Sequence, residues 1–184
     1  MTKPITKKEL TTRAQKIIYT EDYSAKPSIE GVKIIPLTNY IGEDGDFATI
    51  ARVNEQGFVD QLPNFAVKQI NHTMQLPGSV KAWHAHLGQD EVWFVPPSSH
   101  LLVGLWDIRK DSKTANMTMR FALGGGSTKA LFIPRGVAHG SANVTKSPAL
   151  IIYFVNQTFD LHHPDEHRLP WDAQGADFWQ PERD

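Results

Sequence analysis

The chain has no cysteine among its 184 residues. Disulfide staples and thiolate chemistry are therefore excluded, and any bound ion would have to be held by nitrogen and oxygen. It also lacks a charge imbalance: 19 Lys and Arg stand against 20 Asp and Glu, with no long like-charged run. That balance argues against nucleic acid or an anionic membrane as partner. No apolar stretch approaches the roughly 18 residues of a membrane span, and no apolar h-region marks a secretory signal. The expectation is a cytoplasmic protein whose partners are small molecules or other subunits. Gly-x-Ser-x-Gly is absent, which removes the nucleophile-elbow route to acyl transfer. "GGGSTK" from Gly124 has the letters of a phosphate loop in the wrong order and reads as a turn.

What is present is a succession of short apolar runs separated by Gly and Pro clusters. "VKIIPL" from Val32, "FATIA" from Phe47, "FAVKQI" from Phe65, "VKAWHAH" from Val80 and "EVWFV" from Glu91 have strand length. "HLLVGLWDI" from His100, "NMTMRFAL", "KALFI" and "ALIIYFV" continue the series. Little helical period appears beyond residue 30, so the fold class is all-β, a sandwich or barrel, with a jelly roll fitting best. Residues 1–28 read as an N-terminal arm or short helix and 29–184 as a single domain. From Phe159 onward no period is clear, and the segment reads as irregular chain packed over the barrel, anchored by Trp171 and Trp179.

The chemistry-bearing residues concentrate in two places. In "WHAHLGQDE", the period of two puts His84 and His86 on one face of a strand, with Val80 and Ala82, while Lys81, Trp83 and Ala85 point the other way. Gly88 supplies a bend that returns Glu91 beside them. In "IPRGVAHGSAN", Pro134 and Gly136 form a turn able to bring His139 in from a neighbouring strand. Three imidazoles and a carboxylate that converge suit a divalent transition ion, with Mn, Fe, Co, Ni and Zn all open. A lone histidine is more often a satisfied core or surface residue, and His72 and His100 are read so; it is the combination that favours ligation. His162, His163 and His167, near Asp160, Asp165 and Glu166, read as a solvated loop.

The spacing Gly78, five residues, His84-x-His86, four residues, Glu91, followed by Pro134-x-Gly136-x-x-His139-x-x-x-Asn143, resembles the two motifs of the cupin superfamily. The departures are Ser98 and Thr128, where glycine is usual. Within cupins, residues from about Gly31 to Pro181 resemble the dTDP-4-dehydrorhamnose 3,5-epimerases, through "VKQINHT", "GSVKAWHAH", "DIRKDS", "IPRGVAHG" and the terminal "PWD" with "FWQP". The resemblance implies a dimeric cupin jelly roll acting on a sugar nucleotide. It also implies proton abstraction beside a ketone by a histidine paired with an aspartate, and a tyrosine acid. Position by position, the base falls on His84, its carboxylate on Asp172, and part of the nucleotide pocket on Gln69, Asn71 and Lys81. The tyrosine falls on Phe159 counting forward from Tyr153, or on His162 counting back from Pro164. Only His162 of these two can donate a proton. Tyr153 itself reaches substrate if its strand turns it inward.

The chain departs from the family pattern at Asp44, Thr49 and Glu91, which stand where the family has an arginine, a glutamate and a lysine, so phosphate affinity is expected to fall. A nitrogen of His84 that binds an ion is not a free base, and the two readings compete for one residue. Because His86 and Glu91 serve only the ion, the metal reading is preferred here: a cupin isomerase, epimerase or lyase using a Lewis acid on a keto sugar. Three alternatives stay open: an Fe(II) dioxygenase, a metal-free 3,5-epimerase with His84 as base, and a non-catalytic sugar-binding cupin.

Overall fold

The structure, a computed structural model, describes residues 3–182. The N-terminal arm carries a single helical turn at Lys7–Glu9 and the short helix α1, Thr12–Ile17, whose N-cap Thr11 accepts a hydrogen bond from the Ala14 amide at 3.4 Å. Neither buries a residue. The strands follow in order: β1 Lys33–Pro36, β2 Asn39–Gly42, β3 Gly45–Ala48, β4 Phe58–Val59 and β5 Leu62–Ala66. Next come β6 Gln69–Gln75, β7 Val80–Ala85, β8 Glu91–Phe94, β9 His100–Asp107 and β10 Thr118–Gly124. The last are β11 Lys129–Ile133, β12 Val137–Ala142, β13 Ala149–Val155 and β14 His167–Arg168.

Two five-stranded antiparallel sheets face each other, in the orders β1-β11-β8-β13-β6 and β10-β9-β12-β7-β14. Strands distant in sequence interleave in both, as a jelly roll requires. Most apolar runs fall where the period placed them, but "FATIA" is in strand only at Phe47 and Ala48, the end of β3. "FAVKQI" divides between β5 and β6, and "GVAHGSA" is itself a strand, β12. "GGGSTK" forms the turn after β10.

Hydrocarbon fills one part of the interior, where Leu101, Val103, Leu105, Leu131, Ile133 and Ile151 are almost wholly buried. A second cluster lies on the opposite face of β7. There Trp83 is fully buried and its ring centroid lies 4.8 Å from that of Trp179 and 5.2 Å from that of Phe178. The terminal aromatics thus cover the sheet from outside, and Trp179 is the anchor: its indole N–H donates to the Trp171 carbonyl at 2.9 Å, while the Trp171 side chain stays exposed. Gly104 makes this possible, because a Cβ there would sit 2.5 Å from the Phe178 ring.

Strict alternation fails along β7. Its pairing with β12 slips between His139 and Ser141, and such a slip re-aims side chains. Lys81, expected to face outward, lines the cavity together with His84. Gly140 sits at the slip, where a Cβ would collide with that of Ala82.

Two of the family-like motifs are clamps. In "DIRKDS" the buried Asp107 carboxylate accepts from Arg109 Nε at 2.8 Å, Ser112 Oγ at 2.6 Å and Thr114 Oγ1 at 2.7 Å. These donors hold it well below the usual carboxylate range against the opposing effect of burial. In "IPRGVAHG", Arg135 grips Asp90 through its backbone N–H and guanidinium, and the Gly136 amide donates to the His86 carbonyl at 2.8 Å. The turn before β12 is thereby tied to the turn before β8, which brings His139 towards His86 and Glu91.

Candidate active site

A polar cavity opens between the sheets in two lobes that share His86, Glu91, Tyr153 and Glu166 as walls. The histidine lobe, about 460 Å³, adds His84, His139, Lys81 and Arg168. The amide lobe, about 710 Å³, adds Gln69, Asn71, Gln157 and Phe159. Gln69 and Asn71 alternate on the inner face of β6 and hydrogen-bond each other at 2.8 Å. Lys81 Nζ rests on Thr73 Oγ1 at 2.8 Å. All three sequence candidates for substrate binding therefore line the cavity, as does Tyr153, whose hydroxyl is held protonated by burial and by the nearby Glu91 and Glu166 charges.

His86, Glu91 and His139 come together, with one nitrogen or oxygen of each within 4.8 Å of the others. Glu91 is buried and heavily bonded: His86 Nε2 lies 3.0 Å from Oε1, and Trp93 Nε1 donates to Oε2 at 2.6 Å. Burial favours its neutral form, but His139, His86 and Trp93 outweigh that and hold its pKa at about 2. His86 has an acceptor on each side, the Asp165 carbonyl at Nδ1 and Glu91 at Nε2. Burial opposes its charge, yet the Glu91 hydrogen bond and charge prevail and raise its pKa to about 9. The ring is therefore an imidazolium. His139 donates from Nδ1 to the Val137 carbonyl at 3.0 Å, and burial pushes its pKa down.

His84 stands apart from that group. Its Nε2 is 2.7 Å from Arg168 Nη1, and its Nδ1 is 3.2 Å from Glu166 Oε1. Burial, with His139 and the Arg168 guanidinium beside it disfavouring a further charge, pulls its pKa to about 3, so the ring is neutral. Arg168 comes from β14, directly opposite His84 in the ladder with β7. The segment is pinned by Asp165, whose carboxylate accepts from the amides of Leu87, Gly88 and Gln89 at 2.8–2.9 Å.

Several sequence expectations are corrected by this geometry. Asp172 is exposed, in a turn closed by its carbonyl and the Gly175 amide, and does not line the cavity. His162 is also exposed and lines neither lobe. The "solvated loop" instead delivers Asp165, Glu166 and Arg168. A two-residue strand is too short for any period to reveal, and the only signal was the alternation of Glu166 with Arg168.

A family model described as dTDP-4-dehydrorhamnose 3,5-epimerase matches residues 26–180. The spore coat polysaccharide biosynthesis protein SpsL of Bacillus subtilis is 37% identical over 155 residues, covering 84% of this chain and 98% of that one. Among solved structures, a dTDP sugar isomerase from Desulfovibrio desulfuricans superposes with a TM-score of 0.68 at 26% identity, covering 84% of this chain and 91% of that one. A dTDP-4-dehydrorhamnose 3,5-epimerase from Bacillus anthracis gives 0.69 at 18%, covering 86% and 90%, a likeness of fold.

The divalent transition-metal cofactor is overturned by this kinship, since epimerases of that family are metal-independent. His84 lies outside the group formed by His86, Glu91 and His139, whose donor atoms fall within 4.8 Å of one another. The reading of His84, His86, Glu91 and His139 as a four-ligand centre falls, and the Lewis-acid and Fe(II) dioxygenase readings that depended on it fall too.

Proposed function

This chain belongs to the dTDP-4-dehydrorhamnose 3,5-epimerase family, and from that premise we propose that it is a metal-free epimerase of a nucleotide-linked 4-keto sugar, with His84 as base. The observation that carries this reading is the neutral His84 imidazole on the cavity wall with its Nε2 lone pair held only by an exposed arginine. Once Arg168 moves aside, Nε2 takes the proton from the carbon next to the ketone, and the C–H electron pair passes into the carbonyl as an enolate. Return of a proton to the opposite face of that carbon inverts its configuration. Tyr153, protonated and on the shared wall, is the donor. Lys81 and Arg168 bring positive charge to the histidine lobe for the enolate or for phosphate. Gln69 and Asn71 hydrogen-bond the remainder of the substrate in the amide lobe. Relatives support the substrate class: a Legionella pneumophila enzyme of the same fold was solved with dTDP-4-keto-L-rhamnose.

The working form is proposed to be a cytoplasmic homodimer. The outer face of edge strand β6 exposes Ile70 and Met74, with Leu76 just beyond, and an apolar edge calls for cover. Light scattering tests it; a monomer at micromolar concentration would contradict it. For the reaction, a dTDP-4-keto-6-deoxyhexose incubated in deuterated water should exchange hydrogen beside the ketone and yield an epimer. His84→Asn should do both at least about 10²-fold more slowly. Exchange undiminished in His84→Asn would remove His84 as the base.

A further inference from the structure

We infer that Glu166 is the carboxylate that positions His84, and that Asp172 has no part in the site. The inference rests on the reading of His84 as base. The contacts at the two ring nitrogens point to the geometry. A guanidinium only donates, so the nitrogen it contacts must present a lone pair. Arg168 Nη1 lies 2.7 Å from Nε2, hence Nε2 is bare and the ring proton sits on Nδ1. The group 3.2 Å from Nδ1 is Glu166 Oε1, an anionic oxygen at ion-pair distance from the nitrogen that carries the proton. The same oxygen holds Arg168 Nη2 at 2.6 Å, closing a triangle of carboxylate, imidazole and guanidinium.

The scaffold defines this triangle. Asp165, one residue earlier, is bonded to three amides of the turn after β7, and Arg168, two residues later, is in ladder register with His84. Glu166 is thereby placed on the wall common to both lobes. A free imidazole prefers its proton on Nε2, so the Nδ1–H form is one the protein selects. It is also the form a base needs when its Nε2 faces substrate. Glu166 thus acts through His84 as a positioning residue. Arg168 shields the lone pair until the anionic end of a substrate competes for the guanidinium.

The test has one arm that requires no turnover. Long-range 15N–1H spectra of the full chain report which His84 nitrogen carries the proton. Wild type and Asp172→Ala should both show Nδ1–H. Glu166→Ala, which removes the acceptor and the anchor of Arg168, should move the population towards Nε2–H, and Glu166→Asp should restore part of the Nδ1–H form. In the second arm, Glu166→Ala should lower kcat for exchange beside the ketone on the order of 10²-fold, the lower end of what general-base catalysis contributes, with KM little changed. Asp172→Ala should match wild type. A tautomer indifferent to Glu166→Ala, or one that shifts in Asp172→Ala, would overturn the assignment. If wild type failed to turn over any 4-keto sugar nucleotide, the substrate reading would fall, and the spectra alone would decide the role of Glu166.

Discussion

The two parts of the barrel interior are built from the same two sheets and differ in almost everything else. β9 and β11 fill one part with Leu101, Leu105, Leu131 and Ile133, which are sealed from solvent. β7, β8 and β12 line the other with His84, His86, Glu91 and His139 around a water-accessible hollow. The first part holds the sheets together through buried area. The second holds its shape through hydrogen bonds from loops, with Asp165 on the turn after β7 and Arg135 on Asp90. Stability and reactivity should therefore separate under mutation.

The largest effect expected is on reaction. His84→Asn should reduce exchange about 10²- to 10⁴-fold, the range general-base catalysis contributes. The same variant should leave the thermal midpoint near that of wild type, because its side chain is only partly buried. A collapse in midpoint by calorimetry would erase the division between the two parts. Next comes Leu131→Ala, which should lower stability by about 2–5 kcal/mol in a urea titration, with KM retained in the fraction that remains folded. A loss below 1 kcal/mol would mean that the apolar part is not the main support.

A smaller effect concerns pH. Burial disfavours the charged forms of both Glu91 and His86, and their mutual bond overrides it. Folding lowers Glu91 from 4.5 to about 2, so its contribution is complete above pH 4.5 and lost as pH falls through about 2. Folding raises His86 from 6.5 to about 9, so its contribution is complete below pH 6.5 and lost as pH rises through about 9. From this pair the midpoint should be highest between pH 4.5 and 6.5 and decline on both sides, and Glu91→Gln should flatten both limbs. A wild-type profile already flat from pH 3 to 9 would count against the pair. The smallest effect belongs to His162→Ala, which should leave exchange and midpoint unaltered; a tenfold loss of exchange would return His162 to the site.

Where the sequence was legible, two periodicities made it so. Apolar runs of strand length marked nearly every strand of the two main sheets, and the spacing of His84, His86, Glu91 and His139 located the cavity. What stayed hidden was the protonation and partnering of those groups. The Asp165 carbonyl that meets His86 Nδ1 lies 79 residues away. A similar distance in sequence concealed Glu166, while the resemblance pointed to Asp172, which is exposed and lines neither lobe. Lys81 faced outward by simple alternation and was turned inward by one slipped pair opposite Gly140, an irregularity no run of residues announces.

The most direct trial of metal-free proton transfer at His84 is a single proton NMR experiment. Protein dialysed against a strong chelator is mixed with a dTDP-4-keto-6-deoxyhexose in deuterated water, and the signals beside the ketone are followed. The account requires those signals to fade at the rate seen with undialysed protein. Signals that persist until a divalent ion is returned would contradict it.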